Sequence, residues 1–407
     1  MKCRHCSSEL THTFLDLGFA PPSNAYLTKN DLTKPEKYYP LKVMVCDQCW
    51  LVQTEDYAKA DELFDSEYAY FSSTSTGWLE HAKQYADKII QELGLNEKSL
   101  VIEVASNDGY LLKNFVEKKI PCLGIEPTAS TAKAAEALGI QVLQEFFGEQ
   151  LGKQLLQEGH QADLIVGNNV YAHVPDINDF TLGLKAALKQ NGIITLEFPH
   201  LMRLIEFNQF DTIYHEHFSY LSLYTVLHIF KAAGLRIWNV EELPTHGGSL
   251  RIYGCHENDN RHNLPAVEFI LKQEKDRGLQ DLSVYGAFQT KADNIKNDFL
   301  EFLITKKELR KKVVAYGAAA KGNTLLNYAG VKPDLLLFVY DAAIAKQNKF
   351  MPGSHIPILE PSALFEESID YVVILPWNIA DEVVEQNQKL KKAGVIFVTA
   401  VPELRYL

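Results

Sequence analysis

No apolar run in the 407 residues approaches the length of a membrane span, and the N-terminus lacks the apolar stretch of a secretory signal peptide. Basic charge is also short: 40 Lys and Arg stand against 52 Asp and Glu, for a net charge of −12. That balance argues against a general binder of nucleic acid or anionic membrane, while leaving room for a local basic pocket for a phosphate. Only six cysteines are present, four of them in two CxxC pairs, which fits a reducing compartment and a metal rather than a disulfide framework. We therefore expect a cytoplasmic protein. The three-glycine dinucleotide fingerprint and the Lys-bearing P-loop are missing too, so neither NAD nor a P-loop nucleotide is expected. What remains is ordinary for a globular chain of two to four domains, with 46% hydrophobic and 23% charged residues.

The two CxxC pairs are Cys3-Arg4-His5-Cys6 and Cys46-Asp47-Gln48-Cys49. Four thiolates match the tetrahedral preference of zinc and leave no open coordination position for chemistry. The residues between them include Asp16-Leu17-Gly18 and Pro21-Pro22, turn-rich sequence with little means of holding a core unaided. A redox CxxC is the rival, but two pairs, the second preceded by Lys42-Val43-Met44-Val45, favour a structural zinc ribbon. An aromatic stretch (Phe64, Tyr68, Tyr70, Phe71) and a hydroxyl-rich run follow, then a helical pattern in which Trp78 and Tyr85 read as core.

Residues 100–105 form an apolar run that reads as a buried strand, followed by Ser106-Asn107-Asp108-Gly109 and a helix from near Tyr110. In strand, tight turn and helix, backbone N–H groups approach a ligand. An acidic residue at the strand suits a ligand with an amino or sulfonium cation. Glu126 ends the next strand, where a ribose diol is usually held. Asp163 to Asn169 and Gly192 to Glu197 read as further strands, and the alternation means a doubly wound α/β sheet. Residues 243–253 read as a hairpin turning at Gly247-Gly248, residues 264–311 as helices with a solvated charged face, and a second α/β unit starts at Lys312. Its Gly317 and Gly322, with Lys321 as counter-charge, suit a phosphate, although small residues also serve close helix packing. Tyr214-His215-Glu216-His217 concentrates proton-carrying groups suited to acid–base chemistry near neutral pH. Its two histidines lie two apart, not at the spacing of a helical metal pair.

Residues 101–109 resemble the first motif of class I S-adenosylmethionine (SAM) methyltransferases, with Ala105 where glycine is commoner, and Gly124-Ile125-Glu126-Pro127 resembles their ribose-binding acidic motif. The four cysteines, this core, Tyr214 to His217, His246-Gly247-Gly248, Ala315 to Lys321 and Tyr340-Asp341 occur in the order of the sugar C-methyltransferase family. The resemblance runs over essentially the whole chain. It implies a class I Rossmann-like core with a small N-terminal zinc ribbon and a C-terminal Rossmann-like domain. The expected boundaries are 1–62 for zinc, 63–260 for the SAM-dependent methyltransferase domain, 261–311 for a helical connector and 312–407 for a domain that helps bind the nucleotide sugar.

The activity implied is methylation at C-3 of a nucleotide-linked 4-keto-6-deoxyhexose, in branched deoxysugar biosynthesis. Carbon methylation needs a carbanion equivalent, and C-3 is α to the keto group. A base takes the C-3 proton, charge moves onto O-4, and C-3 attacks the sulfonium methyl. The family pattern puts the base at His217, a donor to the oxyanion at Tyr214 and an active-site carboxylate at Glu216. Tyr70 and His173 complete the catalytic set, His173 having a helix-start role as its alternative. SAM is expected on Glu103, Ala105, Ser106, Asn107, Gly109, Glu126 and Asn168, and the sugar nucleotide on His246 and Lys321. The expected metal ligands are Cys3, Cys6, Cys46 and Cys49. A monomer is expected, with no nucleic-acid or membrane partner. An O- or N-methyltransferase, or a non-catalytic zinc-ribbon scaffold, are the competing readings.

Overall fold

The structure, a computed structural model, describes residues 1–55, 57, 72–74, 76–365 and 368–407. The N-terminus contributes β1 (His12–Ala20), β2 (Tyr39–Val45) and β3 (Val52–Thr54), and the helix Thr76–Leu93 follows. Strands β4 (Val101–Val104), β5 (Cys122–Ile125), β6 (Gln141–Leu143), β7 (Ala162–Asn168) and β8 (Leu188–Pro199) then alternate with helices. A two-residue strand, β9 (Ser219–Tyr220), directly follows the His-Glu-His stretch. The hairpin β10 (Leu235–Leu243) and β11 (Ser249–His256) leads into helices Pro265–Asp276, Leu282–Gly286 and Phe288–Glu308. The chain ends with β12 (Val313–Tyr316), the helix Ala320–Tyr328, β13 (Val339–Tyr340), β14 (Ile358–Leu359), β15 (Tyr371–Ile374), β16 (Ile396–Thr399) and β17 (Arg405–Tyr406).

Among the described residues the central sheet has seven strands in the order β10-β11-β8-β7-β4-β5-β6. Strands β4 to β8 run parallel, and β11 enters antiparallel between β8 and β10. This is the class I SAM-methyltransferase topology, Rossmann-like with an antiparallel closing hairpin. All four residues of β4 are buried, as a parallel strand covered on both faces requires. Chain order reverses between β4 and β7, so the crevice beyond their carboxyl ends is the expected ligand site. A second sheet, β14-β13-β12-β15-β16-β17, reverses between β12 and β15 and has its own crevice beyond Tyr316 and Ile374. No described helix is long and apolar enough to cross a membrane.

The N-terminal sheet is more integrated than its sequence suggests. Its order is β1-β2-β3-β9, with Val52 of β3 opposite Tyr220. Phe14 stacks on Phe288 at 4.8 Å between ring centroids and meets Tyr285 edge-on at 5.7 Å, so the connector helices cover its outer face. Asp16-Leu17-Gly18, expected as a turn, lies within β1, where a register irregularity and Gly18 at φ +74° absorb the bend. The charged face expected of residues 264–311 has one clear exception. Glu274 is fully buried, accepting from His200 Nε2 at 2.7 Å and from the amides of Leu223 and Tyr224 at 2.6 and 2.9 Å. It closes the open start of the helix Leu223–Ala232, where backbone N–H groups need acceptors. The helix expected near Tyr110 begins at Lys113.

Candidate active site

Four cysteine sulfurs gather where the N-terminal sheet meets the methyltransferase core, all within 4.8 Å of one another. The Cys3–Cys49 and Cys6–Cys46 sulfurs are each 3.5 Å apart. Tetrahedral zinc with sulfur at about 2.3 Å needs sulfurs about 3.8 Å apart, so the set fits the ion. Cys3 is held toward its thiolate by the hydrogen bond from Cys49. Gln53 Nε2, buried, donates to the same sulfur at 3.2 Å. Such a donor orients a metal thiolate from outside the coordination shell.

A cavity of about 740 Å³ opens where the two crevices face each other. Its walls include Ala105, Asn107, Glu126 and Asn168 from the methyltransferase sheet and Ala319, Ala320, Lys321 and Asn378 from the C-terminal one. Glu126 is nearly buried. One of its oxygens accepts from the Asn107 amide and the other from the Thr128 amide, both at 2.9 Å. Asn168 is buried, and neither end of its amide has a partner among the described residues. A polar ligand in this crevice can meet it. Four non-glycine residues of the wall have left-handed backbones: Ala105 (φ 57°), Asn107 (φ 49°), Asn169 (φ 56°) and His246 (φ 54°). Such strain, about 1 kcal/mol per residue or more, gathers where structure serves a ligand. These groups fit a nucleoside with an amino-acid tail: a carboxylate for a ribose diol, amides for the polar tail and backbone turned toward the cavity.

In the same cavity the Tyr214–His217 stretch is fixed atom by atom. His217 Nδ1 lies 2.9 Å from the Thr212 carbonyl, which can only accept, so the ring proton sits on Nδ1. Nε2 is then the lone-pair nitrogen and accepts from the Tyr214 hydroxyl at 2.9 Å. Burial, with His173 beside it at 4.6 Å between ring centroids, holds the pKa of His217 well below the usual histidine value. Burial likewise brings His173 and His246 down to about 4. Asn169 Nδ2 donates to His246 Nε2 at 3.1 Å. Glu216, 2% exposed, receives the Asn24 amide at 2.7 and 2.8 Å on its two oxygens. At the C-terminal edge Lys321 donates to Asn378 at 2.6 Å and lies 4.7 Å over the Trp377 ring, its pKa lowered by burial. Asp211 accepts from Trp377 at 2.8 Å, and burial raises it to about 6 against the pull of Lys321 and Trp377.

Known families match the chain in the same order. A C-methyltransferase C-terminal domain matches residues 244–402, a methyltransferase domain residues 78–240 and a zinc binding domain residues 3–64. C-methyltransferase NovU from Streptomyces niveus is 30% identical over 406 residues, covering 100% of this chain and 96% of that protein. The chain belongs to the C-methyltransferase family. Its methyl donor is SAM, its reaction a SAM-dependent C-methylation, and its cysteine cluster the zinc site of the family. Among solved structures, a SAM-dependent methyltransferase from Clostridium acetobutylicum aligns with TM-score 0.34 at 10% identity, over 44% of this chain and 91% of that one. Magnesium protoporphyrin IX methyltransferase from Synechocystis, with bound SAM, aligns with TM-score 0.32 at 13% identity, over 43% and 79%.

In this C-methyltransferase the cavity gathers His217, Tyr214, Glu216, His173, His246, Lys321, Ala105, Asn107, Glu126 and Asn168. Three expected SAM residues lie behind its wall. Glu103 is fully buried, its pKa raised by desolvation and then by Asp108 and Glu126. Ser106 packs under β5, where a Cβ on Gly124 would come within 2.5 Å of its hydroxyl. Gly109 has no room for a side chain, because a Cβ there would meet Ile140 Cδ1 at 2.5 Å. Ser106 and Gly109 shape the turn and Glu103 lies within β4, so none of the three lines the cavity. Gly317 and Gly322 likewise admit Pro376 and Leu375, which accounts for both by packing. Tyr70 lies outside the described residues. Trp78, expected in the core, lines the cavity and stacks on His81 at 5.0 Å. His81 in turn meets buried Glu197 at 2.9 Å, which also accepts from Arg251 at 2.7 Å. Burial opposes the Glu197 carboxylate, yet His81 and Arg251 hold its pKa below the usual value. This network, Asn24, Asn169 and Asp211 were not expected from sequence. Trp78 alone had a visible signal, its place beside the hydroxyl-rich run.

Proposed function

We propose that this enzyme methylates C-3 of a nucleotide-linked 4-keto-6-deoxyhexose, with His217 as the base. The observation that carries the reading is His217, its lone pair left on Nε2 by the Thr212 contact, lining the same cavity as Glu126 and Lys321. SAM, when bound, supplies an activated methyl as its sulfonium. Glu126 would hold the ribose diol and the Asn168 side-chain amide the methionine end, with Ala105 and Asn107 beside them. His217 Nε2 takes the C-3 proton as the C–H electron pair moves onto O-4. The Tyr214 hydroxyl, now on Nε2 at 2.9 Å, turns to donate to the enolate oxygen. Glu216 receives a sugar hydroxyl, and His173 keeps the backbone of Glu216 in place through its carbonyl. The 312–407 unit serves as the nucleotide-sugar domain, with Lys321 and His246 on the substrate side and Lys321 countering the phosphates. Tyr70 joins the catalytic set by its place in the family pattern.

A 4-keto group acidifies C-5 as well as C-3, so the test must locate the methyl. Incubation of a panel of dTDP- and GDP-4-keto-6-deoxyhexoses with 13C-methyl SAM, read by carbon NMR, should give a quaternary or branched C-3. A methyl at C-5, on oxygen or on nitrogen would overturn the reading.

A further inference from the structure

We infer that the zinc-bearing N-terminal module is part of the active centre, because its Asn24 positions the Glu216 carboxylate; this rests on the reading that Glu216 faces the sugar. The two residues are 192 apart in the chain, and both line the cavity. Asn24 Nδ2 lies 2.7 and 2.8 Å from the two Glu216 oxygens. A carboxylate only accepts, so the amide must present its N–H₂ to it, and the direction of the contact is settled by chemistry.

Asn24 is itself held. It leaves β1 through Pro21-Pro22-Ser23, and the segment is pinned to the C-terminal unit on both sides of it. Asn323 donates to the Ser23 carbonyl at 2.6 Å, and the Tyr26 hydroxyl donates to the Ala318 carbonyl at 2.5 Å. Leu27 and Phe350 then exchange backbone hydrogen bonds at 3.0 and 2.8 Å. The same module grips the other end of the motif. Thr54 N donates to the Phe218 carbonyl at 3.1 Å, its hydroxyl donates to the His217 carbonyl at 3.3 Å, and β3 pairs with β9 one residue further on. A catalytic stretch held from both sides by one module has its side-chain positions set by that module's fold. Small displacements of such groups cost large factors in rate.

The test is a double-mutant cycle in the full-length, zinc-loaded enzyme, using a dTDP-4-keto-6-deoxyhexose that the wild type methylates. Asn24→Ala should lower kcat about ten- to a hundredfold, the scale of one hydrogen bond to a charged group. SAM affinity and zinc content should hold. In a Glu216→Ala background, which leaves no acceptor for the Asn24 amide, the same substitution should cost no more than about twofold, since a positioning residue acts only through its partner. Asn24→Asp would set a second carboxylate against the first, so one must take up a proton. Its kcat/KM profile should gain an ionisation that the wild type lacks, a change that a merely structural role for Asn24 would not produce. Independent, multiplying losses, or wild-type turnover in Asn24→Ala while Glu216→Ala is impaired, overturn the inference. Wild-type turnover in Glu216→Ala overturns instead the reading beneath it.

Discussion

Replacing Glu126 separates two roles that its geometry combines. Each oxygen accepts one backbone amide, from Asn107 and from Thr128, at 2.9 Å. Glu126→Ala removes both acceptors and the charge. An amide left without a partner costs about 1–3 kcal/mol when buried. Here the cavity admits water, so the lower end applies, and the pair should lower stability by about 2 kcal/mol. The separate loss is in cofactor binding. A charge-assisted hydrogen bond to the ribose is worth about 1.5–3 kcal/mol, so the SAM dissociation constant should rise about ten- to 150-fold. Glu126→Gln keeps the side chain's size and one acceptor, so it should recover much of the stability but little of the affinity. Calorimetric titration with SAM, beside urea unfolding, reads the two apart. An unchanged dissociation constant in either variant would refute the assignment of Glu126 to the ribose.

The zinc site makes a prediction that reaches beyond folding. Cys46→Ser should lose most of the bound zinc by elemental analysis, and methyl transfer should fall with it because β3 holds β9; full metal content would sink the claim. The pH profile follows from burial: a base whose pKa is lowered keeps its lone pair as pH falls below the ordinary histidine value of 6.5. The acid limb of kcat/KM should therefore lie well below pH 6.5, and a limb at or above that value would argue that another group is the base.

Legibility in the sequence followed locality. Strands β4, β5, β7 and β8 announce themselves as apolar runs ended by turn residues, whereas the three residues of β6 gave no such signal; the cysteine pairs carry their geometry in their spacing. Glu126 and Tyr214 to His217 belong to short contiguous motifs, so their place in the site was visible. The strand and turn after it show the limit: Glu103, Ser106 and Gly109 share one motif with Asn107, yet only three-dimensional packing sends Asn107 to the cavity and the others behind its wall. Asn24 and Asp211 act across separations of 192 and 166 residues, which no local pattern encodes. Glu274 was hidden in a charge run because its acceptor role depends on the open start of a helix 50 residues away. The pairing of β3 with β9 was hidden for the same reason, since two residues make no periodicity.

The central claim is that His217 takes the C-3 proton, and solvent exchange measures that step alone. The sugar nucleotide is incubated in deuterated water with enzyme and S-adenosylhomocysteine, so that no methyl can move, and the C-3 proton signal is followed by NMR. Wild-type enzyme should wash out that proton while leaving C-5 untouched. A positioned base contributes roughly a hundred- to ten-thousandfold, so His217→Ala should lose at least a hundredfold in exchange and, in parallel, in methylation. Exchange at the wild-type rate in His217→Ala, or exchange at C-5 in place of C-3, would contradict the account.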